Sequence, residues 1–185
     1  LSLERLWRTG EILSKKPEVL QELQGMLHYI KTVFPETLHQ LDIRLKQALL
    51  KNNISPDLAN NPDSYPRFQL GNWVGGDRDG HPYVTSEVTA RTLKMLRHTA
   101  LSILDSEFRQ TAQKLTLTRR YHPVPEDLQK MISNNLQILP EADQLHLLSL
   151  NDEPWKQAML SLVARLPSQE NYSQFQYKRT TDLVS

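Results

Sequence analysis

The sequence contains no cysteine, which excludes disulfide staples and thiolate metal sites and agrees with a reducing, cytoplasmic setting. No apolar run approaches the roughly 20 residues needed to cross a bilayer, so no membrane partner is expected. An excess of one charge is also lacking. Lys and Arg total 22 against 21 Asp and Glu, a net charge of +1, which gives no electrostatic case for nucleic acid. Leu1-Ser2-Leu3 offers neither a methionine nor a signal-peptide pattern, so the chain reads as a piece of a longer protein. Glycine is scarce as well: the chain has 6, and Gly71, Gly75, Gly76 and Gly80 fall close together.

That concentration marks the stretch around which the chain is organised, Phe68-Gln-Leu-Gly-Asn-Trp-Val-Gly-Gly-Asp-Arg-Asp-Gly-His-Pro-Tyr-Val-Thr85. It starts as an apolar, β-prone run, breaks at a glycine pair, and then sets Asp77, Arg78 and Asp79 in a row. Polar chemistry at the end of a buried strand is where α/β folds keep their sites. Generic motifs do not fit. Gly75-Gly76-x-x-x-Gly80 lacks the spacing of a dinucleotide fingerprint, and His81-Pro82 stands where a phosphate-cradling loop needs Lys-Ser/Thr. Asp77-x-Asp79-Gly80 begins like a calcium loop, but His81 holds the third oxygen position and Val88 the twelfth.

The run Trp73-Val-Gly-Gly-Asp-Arg-Asp-Gly-His-Pro-Tyr-Val-Thr85 resembles the Ser-Trp-Met-Gly-Gly-Asp-Arg-Asp-Gly-Asn-Pro-x-Val-Thr signature of the phosphoenolpyruvate carboxylases. It departs from that signature at Asn72 for Ser, Val74 for Met and His81 for Asn. Leu6-Trp-Arg-Thr-Gly-Glu11, Lys16-Pro17, Leu27-His-Tyr29 and Phe34-Pro35 resemble, in order, the segment that precedes the signature in that family. Leu115-Thr-Leu-Thr-Arg119 and Glu153-Pro-Trp-Lys156 resemble segments that follow it, the latter for a family Glu-Pro-Tyr-Arg.

Along the chain, the apolar spacing predicts a mainly α fold in a single domain over 1–185. Helices are expected across 3–50: one over Leu3–Lys15, then one after Pro17 with Leu20, Leu23, Leu27, Ile30 and Phe34 as its stripe, widened by Val19, Met26 and Val33. Pro35 is expected to kink that helix or start a new one carrying Leu38, Leu41, Leu45, Ala48 and Leu49. Residues 51–66, with Pro56, Pro62 and Pro66, read as a loop. The strand and signature turn occupy 67–85. The strand, 67–74, is expected to be one stave of an α/β barrel in the full-length protein and to lack partners here. Thr85-Ser86-Glu87 starts a long helix, with Leu93, Leu96, Ala100, Ile103, Leu104, Phe108, Ala112 and Leu115 in period. Further helices are expected over Glu126–Leu136 and from Pro154, filling 86–166. The tail, 167–185, reads as polar and exposed.

Arg78 is the strongest candidate for chemistry, because a guanidinium forks onto carboxylate or phosphate. Equally, it can brace the turn between Asp77 and Asp79. Those two aspartates can orient Arg78, reach a metal through water, or simply cap the turn. Trp73 can form the dry wall of a site or be a core residue. His81 lies beside the charges, and Gly75, Gly76 and Gly80 shape the turn. The six histidines show no metal spacing, and Arg119-Arg120 near His122 reads as solvated surface.

The resemblance implies an enzyme that joins phosphoenolpyruvate and bicarbonate into oxaloacetate and phosphate, feeding the tricarboxylic acid cycle. It also implies a cytoplasmic homotetramer that uses Mg2+. On that reading Arg78 supplies electrostatic stabilisation, and Trp73, Asp77, Asp79 and His81 line the substrate pocket. The family's Thr-Ala-His-Pro-Thr motif, its Gly-Arg-Gly-Gly-type loop and its Mg2+-holding acidic residues do not occur in these 185 residues. The chain alone is therefore expected to be inactive and to hold no metal. The alternative is a non-catalytic helical scaffold or regulatory module derived from this family.

Overall fold

Glu18 opens the first helix, α1 (Val19–His28), through a capping box in which its backbone N–H donates to Gln21 Oε1 at 3.1 Å. The structure, a computed structural model, describes residues 18–60, 68, 70–77, 79, 82–167 and 176–178. The expected helix over Leu3–Lys15 lies outside them. The chain divides into two compact units, Leu1–Arg97 and His98–Ser185, with the division inside one continuous helix.

In the first unit, α1 buries Leu23 and Leu27, each burial contributing about 1.5–3 kcal/mol. Pro35 lies in the first turn of a new helix, the second of the two outcomes expected for it. Residues Tyr29–Val33 form a π-helical turn, and α2 (Phe34–Lys51) runs on from it. Proline cannot donate to the carbonyl four residues back, and a widened turn absorbs that loss. Phe34 N–H reaches Tyr29 O instead, while the Thr32 hydroxyl donates to His28 O at 2.6 Å and Thr37 to Val33 O at 2.8 Å. None of the residues of α2 is buried. The loop expected over 51–66 contains a short 3₁₀ helix, Pro56–Asn60, and residues 61–66 fall outside the described set.

The strand expected over 67–74 is corrected for the residues that are described. Phe68 and 70–74 carry no strand assignment, and there is no strand elsewhere among the described residues. A strand exists only through a ladder with a neighbour, so an extended run without one stays irregular. The mainly α expectation holds.

Thr85 caps α3 (Ser86–Lys114) as its sequence implied: Val88 N–H donates to Thr85 Oγ1 at 3.3 Å, and Thr89 N–H to Thr85 O at 2.9 Å. At 29 residues, α3 is about 43 Å long.

The second unit holds α4 (Glu126–Ile138), α5 (Glu141–Leu148) and α6 (Pro154–Ala164). Helices α4 and α6 pack together, and α5 packs on α6. Both α4 and α5 begin at a proline in extended conformation, Pro125 and Pro140. In each, the glutamine four residues on donates its side-chain amide to the carbonyl before the proline: Gln129 to Val124 O at 3.0 Å, Gln144 to Leu139 O at 2.7 Å. The tail expectation is corrected in part, since Gln176 and Tyr177 are buried. Tyr177 N–H donates to Arg165 O at 2.9 Å, and the Arg165 guanidinium lies 4.0 Å from the Tyr177 ring centre.

Candidate functional site

The glycine-rich turn is built into the first unit from below. Val74 packs with Leu23 and Leu27 of α1, and Met95 and Leu96 of α3 pack against the same cluster. Val74, where the family signature has Met, is thus the apolar foot of the turn. Asn72, where the signature has Ser, accepts from Val74 N–H through Oδ1 at 2.8 Å, a local bond that a serine hydroxyl also makes.

Above that foot, Trp73 O accepts two amides, Gly76 N–H at 2.9 Å and Asp77 N–H at 3.0 Å. Gly75 sits at the third position of the turn with φ +74°, the signature of a type II turn. The position demands glycine for a second reason. An added Cβ would collide with Thr92 Oγ1 and lie 2.9 Å from Thr92 Cβ. Thr92 is only 3% exposed, on the second turn of α3, so it cannot swing into solvent. Gly76 is freer, with Trp73 O at 3.7 Å from an added Cβ.

The polar end of the turn faces solvent. Asp77 and Asp79 are exposed, and Asp77 Oδ1 accepts Asp79 N–H at 3.0 Å, which fixes one carboxylate by a turn bond. Trp73 is 76% exposed and is therefore no core residue of this chain. Phe68, Leu70 and Tyr83 are exposed in the same stretch. Arg78, Gly80 and His81 lie outside the described residues. The structure brings Trp73, Gly75, Gly76, Asp77 and Asp79 onto one turn.

Among the described residues, no three His, Cys, Asp or Glu side chains come together in a way that could hold a metal ion. The turn's two carboxylates do not by themselves make a site that fits Mg2+. No helix among the described residues is long and apolar enough to cross a membrane. Arg119 and Arg120 are exposed as expected. Their loop is tied back by Arg119 N–H to Asp152 O at 3.1 Å, and the His122 ring meets Trp155 edge-on at 6.4 Å. Lys156 pairs with Glu153 at 3.0 Å. The sequence reading missed Thr92, whose only signal is its place one period inside a helix that must pass close to glycine.

The geometry is that of a helical module that clamps a charged turn by its apolar foot and offers the charges outward. The chain belongs to the phosphoenolpyruvate carboxylase family, whose sequence pattern matches residues 2–184. It is 30% identical over 160 residues to a phosphoenolpyruvate carboxylase of Prochlorococcus marinus (strain MIT 9301), covering 86% of this chain and 16% of that protein. Against that of Synechococcus sp. (strain ATCC 27144 / PCC 6301) the identity is 32% over 160 residues, 86% of this chain and 15% of the relative. The protein of that name from Methylorubrum extorquens (strain AM1) is 33% identical over 134 residues, 72% of this chain and 14% of the relative. The chain therefore spans about a sixth of the length of the curated relatives it matches. No solved structure matches it significantly.

Proposed function

We propose that this chain works as part of a phosphoenolpyruvate carboxylase, a cytoplasmic homotetramer that forms oxaloacetate and phosphate from phosphoenolpyruvate and bicarbonate. The observation that carries the reading is the ordered Gly-Gly-Asp-Arg-Asp-Gly run in a chain that matches the family over residues 2–184. In this reading bicarbonate attacks the phosphoryl group, the carboxyphosphate releases CO2, and the enolate of pyruvate attacks that CO2. Anionic charge develops at each stage. Arg78, between the two aspartates of the outward-facing turn, supplies positive charge there, an effect commonly worth about 3 kcal/mol per well-placed donor.

Trp73 suits the wall of the pocket. It is large, apolar and presented outward, and a dry wall protects an enolate from protonation by water. Asp77 and Asp79 orient Arg78, and His81 borders the same pocket. Mg2+ belongs to segments of the longer polypeptide and supplies Lewis-acid stabilisation of phosphoryl and enolate oxygens when bound.

The test is an assay of the longer protein for bicarbonate-dependent oxaloacetate with one phosphate released per turnover. A folded protein that turns over neither substrate would overturn the enzyme in favour of a scaffold. The 185-residue chain, assayed alone with phosphoenolpyruvate, bicarbonate and Mg2+, is expected to give no oxaloacetate above background.

A further inference from the structure

Helix α6 and the residue that ends it carry polar side chains at four-residue intervals: Gln157, Ser161 and Arg165. Gln157 is 1% exposed and donates to Leu147 O of α5 at 2.9 Å. The other two belong to a directed chain of hydrogen bonds. Arg165 Nη1 donates to Asn135 Oδ1 of α4 at 2.7 Å, Asn135 Nδ2 donates to Ser161 Oγ at 2.8 Å, and Ser161 Oγ donates to Ala158 O at 2.7 Å. Every bond points away from the guanidinium, so each donor is polarised by the one before it and the cation heads the series. Asn135 and Ser161 are buried, which fixes the far end.

The near end of that chain meets the C-terminal segment. Arg165 holds Tyr177 by its carbonyl, which accepts from the tyrosine amide, and by its guanidinium, which lies over the ring. An arginine side chain has several rotatable bonds, and docking a ring under it requires that freedom to be lost first. Asn135 Oδ1 removes it in advance. We propose that Arg165 is a clasp set by Asn135, which holds the strap Gln176–Lys178 on the α4–α6 pair and releases it when the Asn135–Arg165 bond is lost, while the helices stay folded. Strap release is then a local opening, separate from global unfolding. Asn135 is a positioning residue here, acting on Tyr177 through Arg165.

Amide hydrogen exchange of the full chain tests this. Asn135→Ala and Arg165→Lys are each expected to speed exchange at the Tyr177 amide at least tenfold. Amides in the middle of α6 should change less than threefold. Arg165→Lys keeps the charge but loses the planar group that spans the asparagine and the ring. A folded Asn135→Ala chain whose Tyr177 amide exchanges at the wild-type rate overturns the proposal. If Asn135→Ala does not fold, Arg165→Lys decides. Its residue lies past the last turn of α6 and is only half-buried, and unchanged exchange there overturns the clasp equally.

Discussion

The two units are held together by different means. In the first, three buried apolar side chains, Leu23, Leu27 and Val74, seat a turn whose conspicuous residues stay outside. In the second, the buried set mixes Ile132, Leu147, Ala158 and Val163 with Asn135, Gln157 and Ser161. Apolar contacts have no direction, so they hold the turn by shape, and Gly75 against Thr92 is where shape is least forgiving. Hydrogen bonds have direction, so they fix the register of α6 against α4 and α5. The unit held by shape leaves Asp77 and Asp79 exposed on its turn. A unit held by direction spends its polar groups internally.

The largest expected effect lies at Arg78, the cation of the signature run. On the function proposed above, Arg78→Ala in the longer protein should lower kcat/KM about 10²–10³-fold with little loss of stability, and Arg78→Lys should recover only part. Kinetics and thermal unfolding on the same preparations separate this from a turn-bracing role, in which both variants would melt lower and stay active per folded molecule.

Next comes the apolar seat. Leu23 is fully buried, and Leu23→Ala should cost about 2–5 kcal/mol. Trp73→Ala, by contrast, should change stability by no more than about 0.5 kcal/mol. Denaturant midpoints of the two variants measured side by side check the contrast; equal losses would show that the exposed tryptophan has a packing role in this chain.

The glycine pair sharpens the comparison further. Gly75→Ala meets both a positive φ and the Thr92 side chain, and should cost roughly 1–3 kcal/mol. Gly76→Ala, in ordinary contact, should stay within about 0.5 kcal/mol. Adding Thr92→Ala to Gly75→Ala should relieve the collision with Oγ1 and leave the backbone part and the close approach of the residue-92 Cβ. A double variant no more stable than Gly75→Ala alone would assign the effect to φ and the Cβ contact rather than to the hydroxyl.

What could be read in the sequence follows the same division. Helix α3 and its Thr85 cap were legible because a hydroxyl, a first-turn carboxylate and a 3.6-residue period agree over 29 residues. The turn was legible as a motif, but its foot was not, because the Val74–Leu23–Leu27 contact joins residues about fifty apart in the chain. Helix α5 went unread. Its apolar pattern is weak, and its real signal is the Pro140-Glu-Ala-Asp-Gln144 start that matches Pro125-Glu-Asp-Leu-Gln129 of α4. The burial of Tyr177 had no local signal either, since its partner Arg165 is held by a third residue on another helix.

The smallest expected effect is at that tyrosine. Burial pushes the Tyr177 hydroxyl above its ordinary value of 10.0, against the opposing charge and hydrogen bond of Arg165. A raised folded value means stability that is fully present below pH 10 and lost as pH rises through the folded value. Melting temperatures of wild type and Tyr177→Phe should therefore run parallel below pH 10, with wild type falling more steeply above it. Parallel curves throughout would mean that the ring ionises without leaving its place.

The wide turn at Tyr29–Val33 works as a phase shifter. An ordinary helix advances by about 100° per residue, and one extra residue in a turn rotates everything beyond it by that amount without interrupting the rod. Helix α1 turns Leu23 and Leu27 into the core, while none of the leucines of α2, in step with them on paper, is buried. Deleting one residue from Tyr29–Val33 together with Pro35→Ala would bring the two stripes back into phase and swing the α2 leucines toward the side that now carries Leu23 and Leu27.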